Sequence, residues 1–396
     1  MALFRLARHA RALCAGAARR TFVRATLRAT LRATASALIG AATLLPTAWA
    51  KPITVTDVLG RQVQVESPAR RVVLGFHFEE FTAIAGAPAW SRVVGISRTG
   101  WAGWRAGNWA RYTEVIPGLK DLPDVGFTDD SSFSAEKVIA LRPDVLILPE
   151  WGWNALGPAA AQLQAAGVPV VVVDYNAQTL ERHLASTRLI GSVMGATARA
   201  ETLARLYQAK VDDVMARIAR APKTAAPKVY VELGRDGAGT IGNSYQGTMW
   251  GRMVTTVGGQ NLADRHLKSP WGPLNPEVVL AENPDHVLIA GSSWANRPQA
   301  VRLGYASDDA TAHATLRPYA ERAGWPGLTA VRRQQVFTID HGLCRTLTDY
   351  TALQFIAKQL YPAQFADVDP AAELRRYHEQ FLPVAYGGTW FLSLKP

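Results

Sequence analysis

The chain has 396 residues, 48% of them hydrophobic, and a formal net charge of +11. Such a length and composition can bury two cores of ordinary domain size. The charge suggests a nucleic-acid partner until it is located: eight arginines and no acidic residue lie in the first fifty positions, so the remainder is nearly balanced and has no electrostatic footprint for DNA or RNA.

Residues 1–50 read as an export signal. An arginine-rich stretch precedes an apolar run at 35–45, and Ala48, Trp49 and Ala50 form a small-residue cleavage site before Lys51. The run is too short to stay in a bilayer. Arg19 and Arg20, followed by Phe22, resemble a twin-arginine signal. Cys14 leaves with this segment, so Cys344 has no partner for an internal disulfide. The mature protein, cleaved near Ala50, is expected in the periplasm as a monomer.

Residues 53–65 alternate apolar and polar side chains around Leu59 and Gly60, which predicts a hairpin. Short strands at 72–74 and 93–96 flank a helix at 79–85. Residues 97–128, rich in Gly, Trp and Pro, read as a long functional loop. A helix at 159–166 and a buried strand at 168–174 continue a βα alternation, which requires a mainly parallel sheet. Helical spacing runs through 179–193 and again through 198–219, the latter about 33 Å long and able to connect two lobes. A strand at 228–233 opens a second lobe. It is followed by a glycine-rich loop at 234–247, a helix at 249–257, a strand at 335–340 and closing helices at 347–360 and 371–381. The aromatic tail from Val384 has no readable role. The domains are therefore 1–50 (signal), 51–195 (first lobe), 196–226 (bridging helix and linker) and 227–396 (second lobe with tail).

One phrase occurs in both lobes. Ser134, Glu136, Pro143 and Asp144 correspond to Asn275, Glu277, Pro284 and Asp285, and Trp153 corresponds to Trp294. Each copy reads as a capped short helix, a proline stop and a strand buried on both faces. The tryptophans then fall past strand ends, where open α/β sheets place ligands.

No catalytic set is legible. Ser192 and Ser244 lack a nucleophile context, and the histidines are scattered, so neither a metal cage nor a cofactor site is expected. Gly237, Gly239 and Gly242 lack the lysine of a P-loop and the dinucleotide spacing, and read as room for close backbone approach to a ligand. The positive signal is aromatic and basic. His77, Arg98, Trp101, Trp104, Arg105, Trp151 and Trp153 come from loops of the first lobe. Arg235, Tyr245, Trp294, Arg302, Tyr305, His341 and Arg345 come from loops of the second. Flat apolar walls with arginine donors suit a bulky anionic ligand such as a metal chelate. About half of the tryptophans are expected merely to pack the loops. Glu136 and Glu277, in first helical turns where the helix dipole alone would favour them, could also dock a two-fold symmetric partner bearing arginines.

With these residues in hand, a resemblance is legible. Val55-Thr-Asp57-Val-Leu-Gly60-Arg61-Gln-Val63, Pro68-Ala-Arg70-Arg71-Val72-Val73, Leu122-Pro-Asp-Val125-Gly126, the two repeat copies and Val257-Gly258-Gly259-Gln260-Asn261-Leu262 together resemble the periplasmic binding proteins for iron siderophores, cobalamin and related metal chelates. The resemblance implies two Rossmann-like lobes with mainly parallel sheets, joined by a single long bridging helix. It further implies delivery of the chelate to an ABC permease dimer, with Glu136 and Glu277 matching the glutamates that pair with permease arginines. A ferric siderophore is the expected ligand, and corrinoid, haem and nickel or cobalt chelates are alternatives. The rival from another class is a chelatase-like enzyme, for which His341 and Cys344 are the candidate reactive groups.

Overall fold

The computed structural model describes residues 50–222 and 226–394; the export signal expected at 1–50 lies outside the described residues apart from Ala50. The expected hairpin is present: β1 (Lys51–Thr56) pairs antiparallel with β2 (Gln62–Ser67). Asp57 builds its turn. The carboxylate accepts the N–H groups of Leu59 and Arg61 and receives the Arg61 guanidinium at 2.6 and 2.9 Å.

The first lobe is a four-stranded parallel sheet of β3 (Val72–Leu74), β4 (Val93–Ile96), β5 (Val145–Pro149) and β6 (Val170–Val173), in the order β4-β3-β5-β6. Every residue of β5 and β6 is buried, which explains their unbroken apolar sequence. Helices α1 (Phe78–Ala85), α2 (Ala106–Val115), α3 (Ala135–Ala140), α4 (Glu150–Asn154), α5 (Pro158–Ala165) and α6 (Leu180–Met194) surround it. The stretch read as a structureless loop at 97–128 in fact contains α2 and a preceding π-helical turn at Thr99–Gly103. Its weak apolar periodicity concealed them.

Helix α7 (Thr197–Ala219) links the lobes. Leu203 and Tyr207 sit in the core of the first lobe, Val214 in that of the second, and Val211 touches both. The second lobe carries β7 (Lys228–Leu233), β8 (Asn243–Tyr245), α8 (Met249–Thr256), β9 (Gln260–Asn261), α9 (Ala263–His266), β10 (Trp271–Pro273), α10 (Pro276–Glu282), β11 (His286–Gly291), α11 (Asp309–Ala320), α12 (Thr329–Arg332), β12 (Val336–Asp340), α13 (Asp349–Leu360), α14 (Pro370–Phe381) and β13 (Phe391–Ser393). Its main sheet runs β13-β12-β11-β7-β9 and is parallel except for β13. The aromatic tail thus becomes an antiparallel edge strand. Its Thr389 and Trp390 also hold the loop around Gly304 and the end of β12 through backbone hydrogen bonds. Leu347, Tyr350, Tyr377 and Val384 join the core of the first lobe, so the closing segment ties both lobes together.

The repeat is structural as well as sequential. Ser134 and Asn275 cap α3 and α10 through side-chain oxygens that accept from Lys137 N and Glu277 N. Arg142 and Asn283 then turn left-handed before the prolines. Asp144 accepts the N–H groups of Arg70 and Arg71, and Asp285 accepts that of Lys228, so each aspartate anchors the start of the neighbouring strand.

Candidate functional site

In each sheet, the loops at the C-terminal ends of the strands turn toward the other lobe. Strand order reverses between β3 and β5 in one sheet and between β7 and β11 in the other, and such switch points open crevices for ligands. The two lobes meet there. Gly107 N donates to Ser293 Oγ at 3.1 Å, and Ala295 N donates to the Gly103 carbonyl at 3.0 Å. Gln178 of the first lobe accepts from Met249 N at 2.7 Å, and its amide N–H donates to the Cys344 carbonyl.

Two aromatic walls face this junction. In the first lobe, Phe76 packs edge-on against Trp151 (5.4 Å) and Trp104 (6.1 Å), while Trp104 and Trp151 stack at 6.2 Å. In the second, His341 is surrounded by Tyr245 (6.1 Å), Trp250 (6.2 Å) and Trp294 (5.8 Å). Arg345 joins them: its guanidinium lies 5.3 Å from the Trp104 ring and 5.5 Å from Phe76. Arg105 lies 5.2 Å from Phe76 and pairs with Glu79 at 2.8 Å.

His77 follows β3 with φ of 58°, a left-handed backbone uncommon outside glycine. Neither ring nitrogen has a hydrogen-bond partner, although Glu80 Oε2 stands 3.7 Å from Nδ1. Burial, helped by Arg105, lowers its pKa to about 3. Burial, with Arg345 and Arg105, likewise holds His341 far below the ordinary histidine range.

Of the fourteen residues singled out in the loops, the fold brings together His77, Trp104, Arg105, Trp151, Tyr245, Trp294, His341 and Arg345. It places the others elsewhere. Trp101 stacks on Phe78 at 4.5 Å inside the first-lobe core, against Trp90 and Tyr112. Arg98 braces its own loop by donating to the Leu122 carbonyl at 2.6 Å. Trp153 does not mirror Trp294: it lies under Arg61 of the hairpin at 3.9 Å and packs against the other face of the sheet. Arg235 pairs with Asp236 at 3.1 Å, and Arg302 is held through its backbone by Thr315. Tyr305 lies in a neighbouring interlobe cavity of about 30 Å³, beside Glu79, Arg105, Tyr112, Asp340 and Trp390, with room for about two waters. Sequence reading missed Phe76, Trp250, Gln178 and Ser293. Phe76 alone carried a signal, being a large aromatic two residues past the end of a strand.

In the glycine-rich loop, Gly242 is required by the backbone itself. A Cβ on Gly242 would meet the Leu233 carbonyl at 2.0 Å, so the close approach is to its own strand. Cys344 is unsuited to nucleophilic work, because it is buried, donates to the His341 carbonyl at 3.1 Å and has its pKa pushed up to about 12 by burial.

Helix α14 contributes a pH-sensitive group. His378 Nδ1 donates to the Leu374 carbonyl, so Nε2 accepts the Tyr305 hydroxyl at 2.6 Å, and burial lowers the pKa to about 4. The folded value lies below the unfolded one of about 6.5, so this contribution to stability is whole above pH 6.5 and is lost as pH falls toward 4. The loss amounts to roughly 3 kcal/mol. His378→Gln is expected to flatten the dependence across that window, measured as urea unfolding at pH 7 and pH 4.5. Asp340, raised to about 6 by burial, acts in the opposite sense and is common to both proteins.

The architecture and the chain agree with known proteins. The crystal structure of the TroA-like periplasmic binding protein FepB from Veillonella parvula superposes with a TM-score of 0.81 at 36% identity, covering 87% of this chain and 100% of that one. An uncharacterized ABC transporter substrate-binding lipoprotein, YvrC of Bacillus subtilis, is 22% identical across 80% of this chain and 88% of its own length. The molybdate-binding protein MolA of Haemophilus influenzae is 23% identical across 84% and 91%. The family described as periplasmic binding protein matches residues 85–343, and the chain belongs to that family.

Proposed function

We propose that this protein is the exported capture component of an ABC importer. It takes a ferric siderophore or related metal chelate between its lobes and presents it to an inner-membrane permease dimer through Glu136 and Glu277, performing no chemistry itself. The observation that carries this reading is an aromatic cluster from each lobe at the strand-end junction, Trp104 and Trp151 in one and Tyr245 and Trp294 in the other, with Arg345 of the second lobe lying against Trp104 and Phe76 of the first. Rings of this size offer flat apolar area to a large planar or aromatic ligand at low entropic cost. A corrinoid, haem or a nickel or cobalt chelate would use the same walls.

The test uses the protein from Lys51 onward and its own tryptophan fluorescence, titrated with ferric catecholate, hydroxamate and citrate complexes, cobalamin, haem and nickel-histidine. Saturable quenching by one class at sub-micromolar concentration is expected. Silence across the panel would remove the metal-chelate reading. Trp104→Leu and Trp294→Leu should each weaken the responding ligand by about ten-fold, one stacked ring contributing roughly 1–1.5 kcal/mol.

A further inference from the structure

Arg345 carries a positive charge that the described residues leave unanswered. It is 6% exposed, its Nε has no hydrogen-bond partner, and its close neighbours are the ring faces of Phe76 and Trp104. Burial holds its pKa below the ordinary arginine range. No carboxylate forms an ion pair with Arg345 among the described residues, and of Glu79, Glu80 and Asp340 nearby only Glu80 Oε2, 3.7 Å from His77 Nδ1, lacks a hydrogen-bond partner. Glu79 receives Arg105 and Asn108, Asp340 accepts Gly342 N, and Glu80 Oε1 accepts Leu347 N. Arg105 itself is 4% exposed and keeps Nε and Nη2 without partners. Ring faces offset only part of the cost of burying a guanidinium, and native structures seldom leave such groups unsatisfied without a reason.

His341 adds a donor of fixed identity. The Trp250 indole N–H lies 3.0 Å from His341 Nδ1, and an indole nitrogen can only donate. Nδ1 is therefore the unprotonated nitrogen, and in the neutral ring the proton sits on Nε2. His341 thus offers the cleft an N–H and withholds a lone pair. Trp151 Nε1 is another donor with no partner. Around Arg345 and His341 the unpartnered groups are donors, guanidinium, imidazole N–H and indole N–H, set between aromatic faces, while the acceptors of the junction, one ring nitrogen of His77 and Glu80 Oε2, lie together 3.7 Å apart on the first lobe.

We infer that Arg345, Arg105 and His341 form a subsite for the anionic oxygens of the ligand, a carboxylate or oxoanion face, and that His341 donates to those oxygens and does not ligate metal. This rests on the binding-protein reading and narrows its ligand class. The arrangement selects a ligand that presents acceptors and turns away a bare divalent cation, because an N–H group has no lone pair to give.

The experiment compares the protein from Lys51 with Arg345→Gln, His341→Leu and His341→Gln by calorimetry, using ferric citrate, free citrate, molybdate and nickel chloride as probes. Thermal unfolding without ligand is recorded alongside. At least one oxygen-rich anion is expected to bind and nickel ion to fail. Arg345→Gln should weaken the anion about 100-fold, as loss of a buried charge-assisted bond does. His341→Leu should weaken it about 20-fold, and His341→Gln, which keeps an acceptor for Trp250 and a donor for the ligand, should recover most of that loss. Ligand-free Arg345→Gln should melt several degrees higher than the parent, because it removes an unpaired buried charge. A lower melting point with unchanged affinity would make Arg345 a structural residue and overturn the inference. Nickel binding that depends on His341 would do the same. Binding of ferric citrate alone supports a carboxylate-bearing chelate, and binding of molybdate or free citrate supports a free anion as the source. If chelates bind but Arg345→Gln is silent, the subsite falls and the chelate reading stands. If free anions bind with the expected losses while no chelate does, the reverse holds. If nothing binds, both fall.

Discussion

Reversing both repeat glutamates, Glu136→Arg together with Glu277→Arg, is expected to reduce uptake of the ligand in cells at least about 100-fold while leaving the affinity of the purified protein within about two-fold. Each glutamate is exposed in the first turn of a short helix, α3 or α10, and neither forms an ion pair among the described residues. Among the described residues Glu136 accepts only the Ser134 hydroxyl, at 3.1 Å. If the helix dipole were their sole purpose, removing them would cost well under about 1 kcal/mol of stability and nothing in transport. Two carboxylates at equivalent places in two similarly built lobes instead match a partner with two-fold symmetry. The single reversals should each give a partial defect. Normal uptake by the double variant would end the docking assignment, with binding to ligand serving as the control for folding.

The largest stability effect is expected at Arg322. Its guanidinium meets Glu232 in a fork of 2.6 and 2.8 Å, and it also donates to the carbonyls of Ala238 (2.7 Å) and Thr240 (2.8 Å). Glu232 is wholly buried and accepts from the Tyr230 hydroxyl and Gly242 N, both at 2.9 Å. Tyr319 and Trp325 lie 4.3 and 4.8 Å from the guanidinium. Arg322→Met would leave the carboxylate buried without its counter-charge, at a cost of about 4 kcal/mol. The midpoint of thermal unfolding should drop by roughly 8 °C. Glu232→Gln added to Arg322→Met should recover part of the loss, since the uncompensated charge is then gone. A double variant no better than the single one would mean that lost packing, and not the charge, sets the cost.

The same cluster holds part of the glycine-rich loop through contacts distant in the chain. Glycines at 237, 239 and 242 suggest room for a ligand, yet Gly242 is packed against Glu232 and Leu233, and the carbonyls of Ala238 and Thr240 beside Gly239 accept from Arg322, some eighty residues further along the chain. No local pattern announces that contact. Helix α11 was missed for a related reason: Pro318 lies inside it and its apolar positions are sparse, so tertiary packing of Ala312, Leu316 and Tyr319 decides its form.

What the sequence determined by itself was whatever short-range chemistry controls. The hairpin around Leu59 and Gly60, the caps at Ser134 and Asn275, the proline stops, the all-apolar strands and the length of α7 follow from neighbours within a few positions, and the recurrence of cap, proline stop and strand revealed two lobes. Which strand-end side chains meet was decided only by the tertiary structure. Trp104 and Phe76 face Arg345 because both sheets direct their strand ends at one junction, whereas Trp101 and Trp153 are turned into a core and under Arg61. Adjacent residues on a turn point in different directions, so composition named the right loops but not the right side chains. The tail likewise had no local signature: it becomes a strand because β12 offers an unpaired edge, and that edge exists only once the sheet has formed.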